Sequence, residues 1–182
     1  MIETQRHPGA AGTVSVLFRP SIVPVLDVFR SLGRLEDQYD LALLDGPEQA
    51  LTRLASPELA KGIISDALLF AFALTRQRSA TVHYRPMGSR HGSMDEYCVV
   101  TLIGASRVPD SELTFEAASA LGVASLDFMV SLAADLVRQI DLASLPFDAP
   151  SLSDFRGVVG NSALFEDDCG GPLARSEFRF RF

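Results

Sequence analysis

The stretch SPELAKGIISDALLFAFALTRQ, Ser56–Gln77, decides what kind of fold this chain adopts. Its opening is a helix start. Ser56 offers an oxygen to the first-turn amides, Pro57 has no N–H to lose, and Glu58 sits at the positive end of the dipole. From Ala67 to Leu74 every residue is apolar, so no face of this helix is set aside for water. A helix of that kind belongs in the middle of a protein. Arg76 and Arg78 suit its negative end. The spacing therefore predicts a buried central helix over about 57–77.

On the N-terminal side, residues 1–12 are polar and small and predict a flexible arm. Thr13–Phe18 (TVSVLF) is β-branched and aromatic, and Pro20 stops it, which predicts a short strand. Ser21 is placed to cap a helix in which Ile22, Val25, Leu26, Phe29 and Leu32 recur at helical spacing. Gly33 predicts its stop. Leu35–Leu44 reads as a second helix ended by Asp45-Gly46, and Pro47 begins a third, with Ala50, Leu51 and Leu54 on one face.

On the C-terminal side, Ala80–Arg85 (ATVHYR) alternates like a strand. Two signals conflict in Glu96–Ala105 (EYCVVTLIGA). Ser93 and Glu96 fit a capping box, which argues helix, whereas Tyr97, Val99, Val100, Thr101 and Ile103 argue strand. The reading leans to a strand, paired in a hairpin with residues 80–85. Pro109–Ser111 breaks the chain. Thr114 then caps a short helix to Gly122, and Ser125 a longer one with Leu126, Met129, Val130, Ala133, Leu136, Val137 and Ile140 on one face. Leu145–Pro172 is rich in Pro, Gly, Asp and Ser and reads as loop. Ser176–Phe182 (SEFRFRF) alternates strictly, with Phe178, Phe180 and Phe182 on one face and Arg179 and Arg181 on the other, a half-buried strand pattern.

These elements add up to an α+β fold, a mostly helical single domain around the 57–77 helix with a small antiparallel sheet. The expected organisation is an arm at 1–12, a globular core at 13–145, and a loop-rich tail at 146–182 ending in a short strand. The length of 182 residues suits one substantial core, and 47% hydrophobic against 21% charged residues suits a globular chain. A formal net charge of −7 repels phosphate backbones, which disfavours nucleic acid as a partner. No stretch approaches the roughly 20 apolar residues a bilayer span needs, and Met1–Gly12 lacks the pattern of a secretory leader. Two cysteines, Cys98 and Cys169, are too few for a disulfide framework. A soluble cytoplasmic protein without a membrane partner is the expectation.

Chemistry concentrates in HYRPMGSRHGSMDEYC, His83–Cys98, which holds two of the three histidines. His83, His91, Asp95, Glu96 and Cys98 are metal-ligand types, but their spacing matches no standard set, so no metal is assigned. His83, Arg85, Arg90 and His91 are the candidate ligand-binding residues. Arginine forks fit carboxylate or phosphate, and Gly88 and Gly92 let the backbone approach a ligand. The competing reading is a polar connection between buried elements. No catalytic residue is assigned. There is no G-x-S-x-G, Cys98 lies in an apolar run that keeps a thiol protonated, and Asp167 and Asp168 beside Cys169 would hold its thiol protonated too. No phosphate-cradling glycine loop is present, and no cofactor is expected.

Thr114–Leu132 (TFEAASALGVASLDFMVSL) resembles the helix-turn-helix segment of bacterial regulators. Ala118, Leu121, Gly122 and Val123 stand where that motif has its small residue, core leucine, turn glycine and following apolar residue. The resemblance implies two helices meeting at a corner. Its second helix departs from the pattern: Ser125–Leu132 offers no Arg, Lys, Asn or Gln to read a base edge, and Ser131 falls where a core residue belongs. The segment is therefore expected to be a helix–glycine–helix corner rather than a DNA reader.

The function expected from these residues is non-enzymatic: an intracellular interaction or assembly protein that holds a protein partner or itself. Phe178, Phe180 and Phe182 are its candidate contact residues. The alternative is a small-ligand-binding protein or enzyme with its site in the 83–98 loop.

Overall fold

The computed structural model describes residues 16–38 and 41–166, with side chains described for residues 16–32 and 42–160. In chain order the elements are β1 (Val16–Leu17), α1 (Val23–Gln38), a 3-10 turn (Leu41–Leu44), α2 (Asp45–Thr52), α3 (Pro57–Gln77), β2 (His91–Gly92), α4 (Met94–Ala105), α5 (Glu112–Leu121), α6 (Leu126–Leu142) and α7 (Leu152–Glu166). The fold is mostly helical α+β. Its one sheet among the described residues pairs β1 with β2 in antiparallel register, Val16 opposite Gly92 and Leu17 opposite His91.

The helix that the opening stretch predicts is α3, with the bounds expected. Ser56 Oγ accepts from the amide of Leu59 at 3.3 Å, and Pro57 occupies the first turn. α3 packs against α1, α2 and α6. It buries Ala60, Ile63, Ile64, Ala67, Phe70, Ala71 and Leu74, and the Phe70 ring meets Phe29 of α1 edge-on at 5.8 Å. It is not apolar toward protein on every side, because Leu69 and Phe72 stand half exposed.

The helix buried all round is α4, where every residue from Glu96 to Ala105 is buried. This corrects the strand reading of 96–105 and its hairpin with 80–85, which form no strand. The capping box decided the matter. Ser93 Oγ accepts from the Glu96 amide at 3.1 Å, and Glu96 Oε2 accepts from the Ser93 amide at 2.8 Å. Two first-turn donors are thereby satisfied, and β-branched residues are tolerated in a helix that packing covers on every side. Gly104 lets this helix touch the chain after α6: an added Cβ would lie 3.0 Å from the Ala149 amide nitrogen.

Other boundaries differ from the sequence reading: the second helix read at Leu35–Leu44 is instead the end of α1 and the 3-10 turn, Asp45-Gly46 lies inside α2, and Ser125 precedes α6 without a side-chain cap bond. α1 runs through Gly33 to Gln38, since one glycine costs a helix about 1 kcal/mol without ending it. Ser21 donates to the carbonyl of Pro146. The cap of α5 is Ser111, while Thr114 is buried and donates to the carbonyls of Ala105 and Val108. The expected corner between α5 and α6 forms: Gly122 is left-handed, φ +66°, and the helices are bent by 108°. Among the described residues no single helix is long and apolar enough to cross a membrane.

The segment Leu145–Pro172, read as loop from its composition, contains α7. Phe147, Phe155 and Val158 enter the core, and the Phe155 ring stacks on Tyr97 at 5.7 Å. Asp154 lies in the first turn of α7, where Ser151 Oγ accepts from its amide, so polar residues taken for loop act as a helix start. The arm at 1–12, Cys169 and the strand expected at Ser176–Phe182 lie outside the described residues.

Candidate functional site

The 78–98 segment is organised by two acids at the start of α4. Asp95 receives the Arg78 guanidinium at 3.0 Å, the His83 amide at 2.7 Å and His83 Nδ1 at 3.2 Å. Glu96, fully buried, receives Arg30 Nε at 2.7 Å and the Arg85 amide at 3.0 Å through Oε1, while its other oxygen closes the capping box. Arg30 is buried as well. It also donates to Asp27 at 3.0 Å, to the Ser89 carbonyl at 2.9 Å and to the His91 carbonyl at 3.5 Å. Burial works against its charge, yet the two carboxylates outweigh burial and hold its pKa above the ordinary value. One arginine from α1 thus ties together α4 and the loop before it.

The four residues predicted as a ligand site take up places around this hub. His83 is exposed and held through Asp95. Arg85 is half-buried and joins Glu96 through its backbone. Arg90 Nε donates to the carbonyl of Phe18 at 3.1 Å, alongside β1. His91 lies in β2, exposed, with its carbonyl turned to Arg30 and Ser89. Asp27 takes the amide of Gly88 at 3.0 Å where that glycine is left-handed, φ +74°. Gly92 is needed for closeness: a Cβ there would lie 2.0 Å from the Phe18 ring. Gly88 thus serves a left-handed turn held by Asp27, and Gly92 serves the close approach of β2 to Phe18.

The sequence reading missed Arg30 and Asp27. Their signal was present: two charges at i and i+3 inside the apolar run Val25–Leu32. Cys98 behaves as expected from its run. Burial, with a smaller push from Asp95, raises its thiol to about 12, which keeps it protonated. Among the described residues no three His, Cys, Asp or Glu side chains cluster as metal ligands. Two of the shallow depressions on the described surface lie away from the 83–98 loop. One, of about 460 Å³, lies on α2 around Asp45, Glu48 and Arg53. The other, of about 500 Å³, lies between Arg107 and the end of α6. Neither includes a residue of the 83–98 loop.

The surface feature that stands out is apolar. Leu69 and Phe72, one turn apart on α3, are 55% and 48% exposed, and Phe128 on α6 is 51% exposed. The two helices run antiparallel. Gly62 faces Gln139, and the Gln77 side chain accepts from the Ser125 amide at 2.7 Å. That register sets Leu132 level with Leu69 and Phe128 level with Ala73. Ala73 and Leu132, both partly buried, lie on that seam beside Leu69 and Phe128, and Phe72 stands on the adjoining exposed side of α3. Asp66 borders the same seam. Burial, and then the neighbouring Asp135 carboxylate, hold its pKa above the ordinary carboxylate value, while Arg138 opposes the shift. Asp127, exposed, is in the first turn of α6.

The chain matches no family model, and no curated protein or solved structure is found similar to it.

Proposed function

We propose that this is a non-enzymatic protein-interaction module of the cell interior, holding a protein partner on the α3–α6 face. The observation that carries this reading is the group Leu69, Phe72 and Phe128, each about half exposed on two adjoining helices. Scattered single exposed apolar residues are ordinary, but large ones gathered across a helix pair and rimmed by polar residues mark contact surfaces. Aromatic side chains supply much of the binding energy at such surfaces. The competing enzymatic reading rested on His83, Arg85, Arg90 and His91, and the acids near them are spent on internal contacts. A buried Cys98 thiol, one of only two cysteines, suits a reducing compartment.

A photo-crosslinking side chain placed singly at residue 69, 72 or 128 in the native host tests this. The reading expects a discrete adduct from all three positions and none from Leu54, an exposed leucine elsewhere on the surface. Absence of an adduct from the three positions, in chains that melt like the wild type, overturns it.

A further inference from the structure

We propose that the occupant of the α3–α6 face is the chain's own C-terminal segment, Ser176–Phe182, seated within the same molecule. The inference rests on the reading of that face as a docking surface: the segment covers it in the free chain, and a protein partner displaces it.

Three observations converge. The first is chemical fit. The segment SEFRFRF carries Phe178, Phe180 and Phe182, alternating with Arg179 and Arg181. In an extended chain the phenylalanines project to one side and reach an apolar surface together, while the arginines flank them. The face offers Leu69, Phe72 and Phe128 for the phenylalanines. Asp66 and Asp135 lie beside it, and although Asp135 is paired with Arg138 at 3.2 Å, an arginine placed there adds counter-charge for Asp66. The rings of Phe72 and Phe128 also present faces on which a guanidinium stacks.

The second is reach. α7 packs on α5, and α5 turns at Gly122 directly into α6, whose first turns carry Phe128. Residues 167–175 span up to about 30 Å when extended, about the diameter of a small domain. The third concerns the sheet edge among the described residues. A strand-like segment would otherwise add to a sheet edge, but the sheet among the described residues is two residues long on each strand. It offers too few backbone groups for a seven-residue strand.

The chain contains no tryptophan, so Phe182→Trp in the full-length protein installs a single reporter. The expected result is blue-shifted emission and several-fold slower quenching by acrylamide than in the same chain carrying Leu69→Asp and Phe72→Asp. Phe128→Asp, on the other helix, should expose the reporter equally. Both results should be independent of protein concentration. Retained helical circular dichroism and a cooperative melt in the aspartate variants exclude misfolding as the cause. A reporter that is quenched equally in all three chains overturns the inference, and so does shielding that grows with protein concentration, which places the segment on a second copy. The two readings fail separately. An exposed reporter together with crosslinks from positions 69, 72 and 128 to another polypeptide removes the tail and leaves the docking surface standing.

Discussion

Arg30 Nε donates to Glu96 Oε1 at 2.7 Å, and the two side chains are 1% and 0% exposed. Opposite charges buried this deeply are costly to desolvate and become costlier still when one is removed. Arg30→Met leaves Glu96 buried without its counter-charge. The expected loss is about 3–5 kcal/mol, read as a lower urea midpoint with an unchanged slope. Adding Glu96→Gln should recover only part of it. Glu96 also accepts from the amides of Arg85 and Ser93, one through each oxygen, and glutamine has a single acceptor oxygen. A midpoint unmoved by Arg30→Met would show that this pair does not clamp α1 to α4.

Gly92→Ala tests the seam between β1 and β2. The new methyl would fall 2.0 Å from one carbon of the Phe18 ring and under 3 Å from two more. Phe18 is buried, and its amide donates to the Arg90 carbonyl at 2.8 Å, so the ring cannot swing clear without disturbing the strand. The substitution should cost about 1–3 kcal/mol, the usual penalty for overpacking. Phe18→Leu makes room while creating a small loss of its own. The double variant should therefore be less destabilised than the sum of the singles, and strict additivity in the double-mutant cycle would rule out the clash.

Ser93 shows why part of the fold was legible in the sequence and part was not. Some polar signals were accurate: Ser56-Pro57-Glu58 started α3, Gly122 ended α5, and Ser93 with Glu96 announced α4, whereas Gly33, Ser21 and Thr114 did not act as the stop and the caps they were read as. The apolar signals were ambiguous. A short run with no polar face reads alike as a buried strand or a buried helix, because periodicity vanishes when every side is covered. The 96–105 run, Leu69 and Phe72 were misjudged for that one reason. The hub of the 83–98 segment was hidden differently, since its key partner Arg30 lies far away in sequence and only the tertiary fold brings it in. Ser93→Ala should cost about 1 kcal/mol as a lost cap, and somewhat more here, because Ser93 Oγ also donates to the His83 carbonyl. A drop in melting temperature checks it, with helical circular dichroism retained.

Cys98 predicts an alkaline signature. Its folded-state value of about 12 lies above the ordinary value of 9.0. The folded protein therefore holds the thiol proton after the unfolded chain has lost it. The stability this contributes is complete below pH 9 and is lost as pH rises toward about 12, at about 1.4 kcal/mol per pH unit. Cys98→Ala lacks that slope but leaves a small cavity. The advantage of wild type over the variant in unfolding free energy should thus be constant up to pH 9 and shrink above it. At neutral pH the thiol should resist alkylation until the protein unfolds, and rapid native-state labelling would contradict its burial.

Phe70 and Phe72 are two residues apart on one helix and should respond oppositely to the same change. Phe70 is wholly buried and meets Phe29 edge-on. Phe70→Ala removes that contact and opens a cavity between α3 and α1, at an expected cost of about 3–5 kcal/mol. Phe72 is half exposed and its loss opens no cavity between helices, so Phe72→Ala should cost no more than about 1 kcal/mol, including any contact with the C-terminal segment. Alanine also favours the helix, which offsets part of the lost contact. The comparison separates a residue kept for folding from one kept for contact, since both substitutions delete the same ring from the same helix. If Phe72→Ala destabilised the protein as much as Phe70→Ala, its ring would belong to the core, and the α3–α6 face would lose the residue that most marks it as a docking surface.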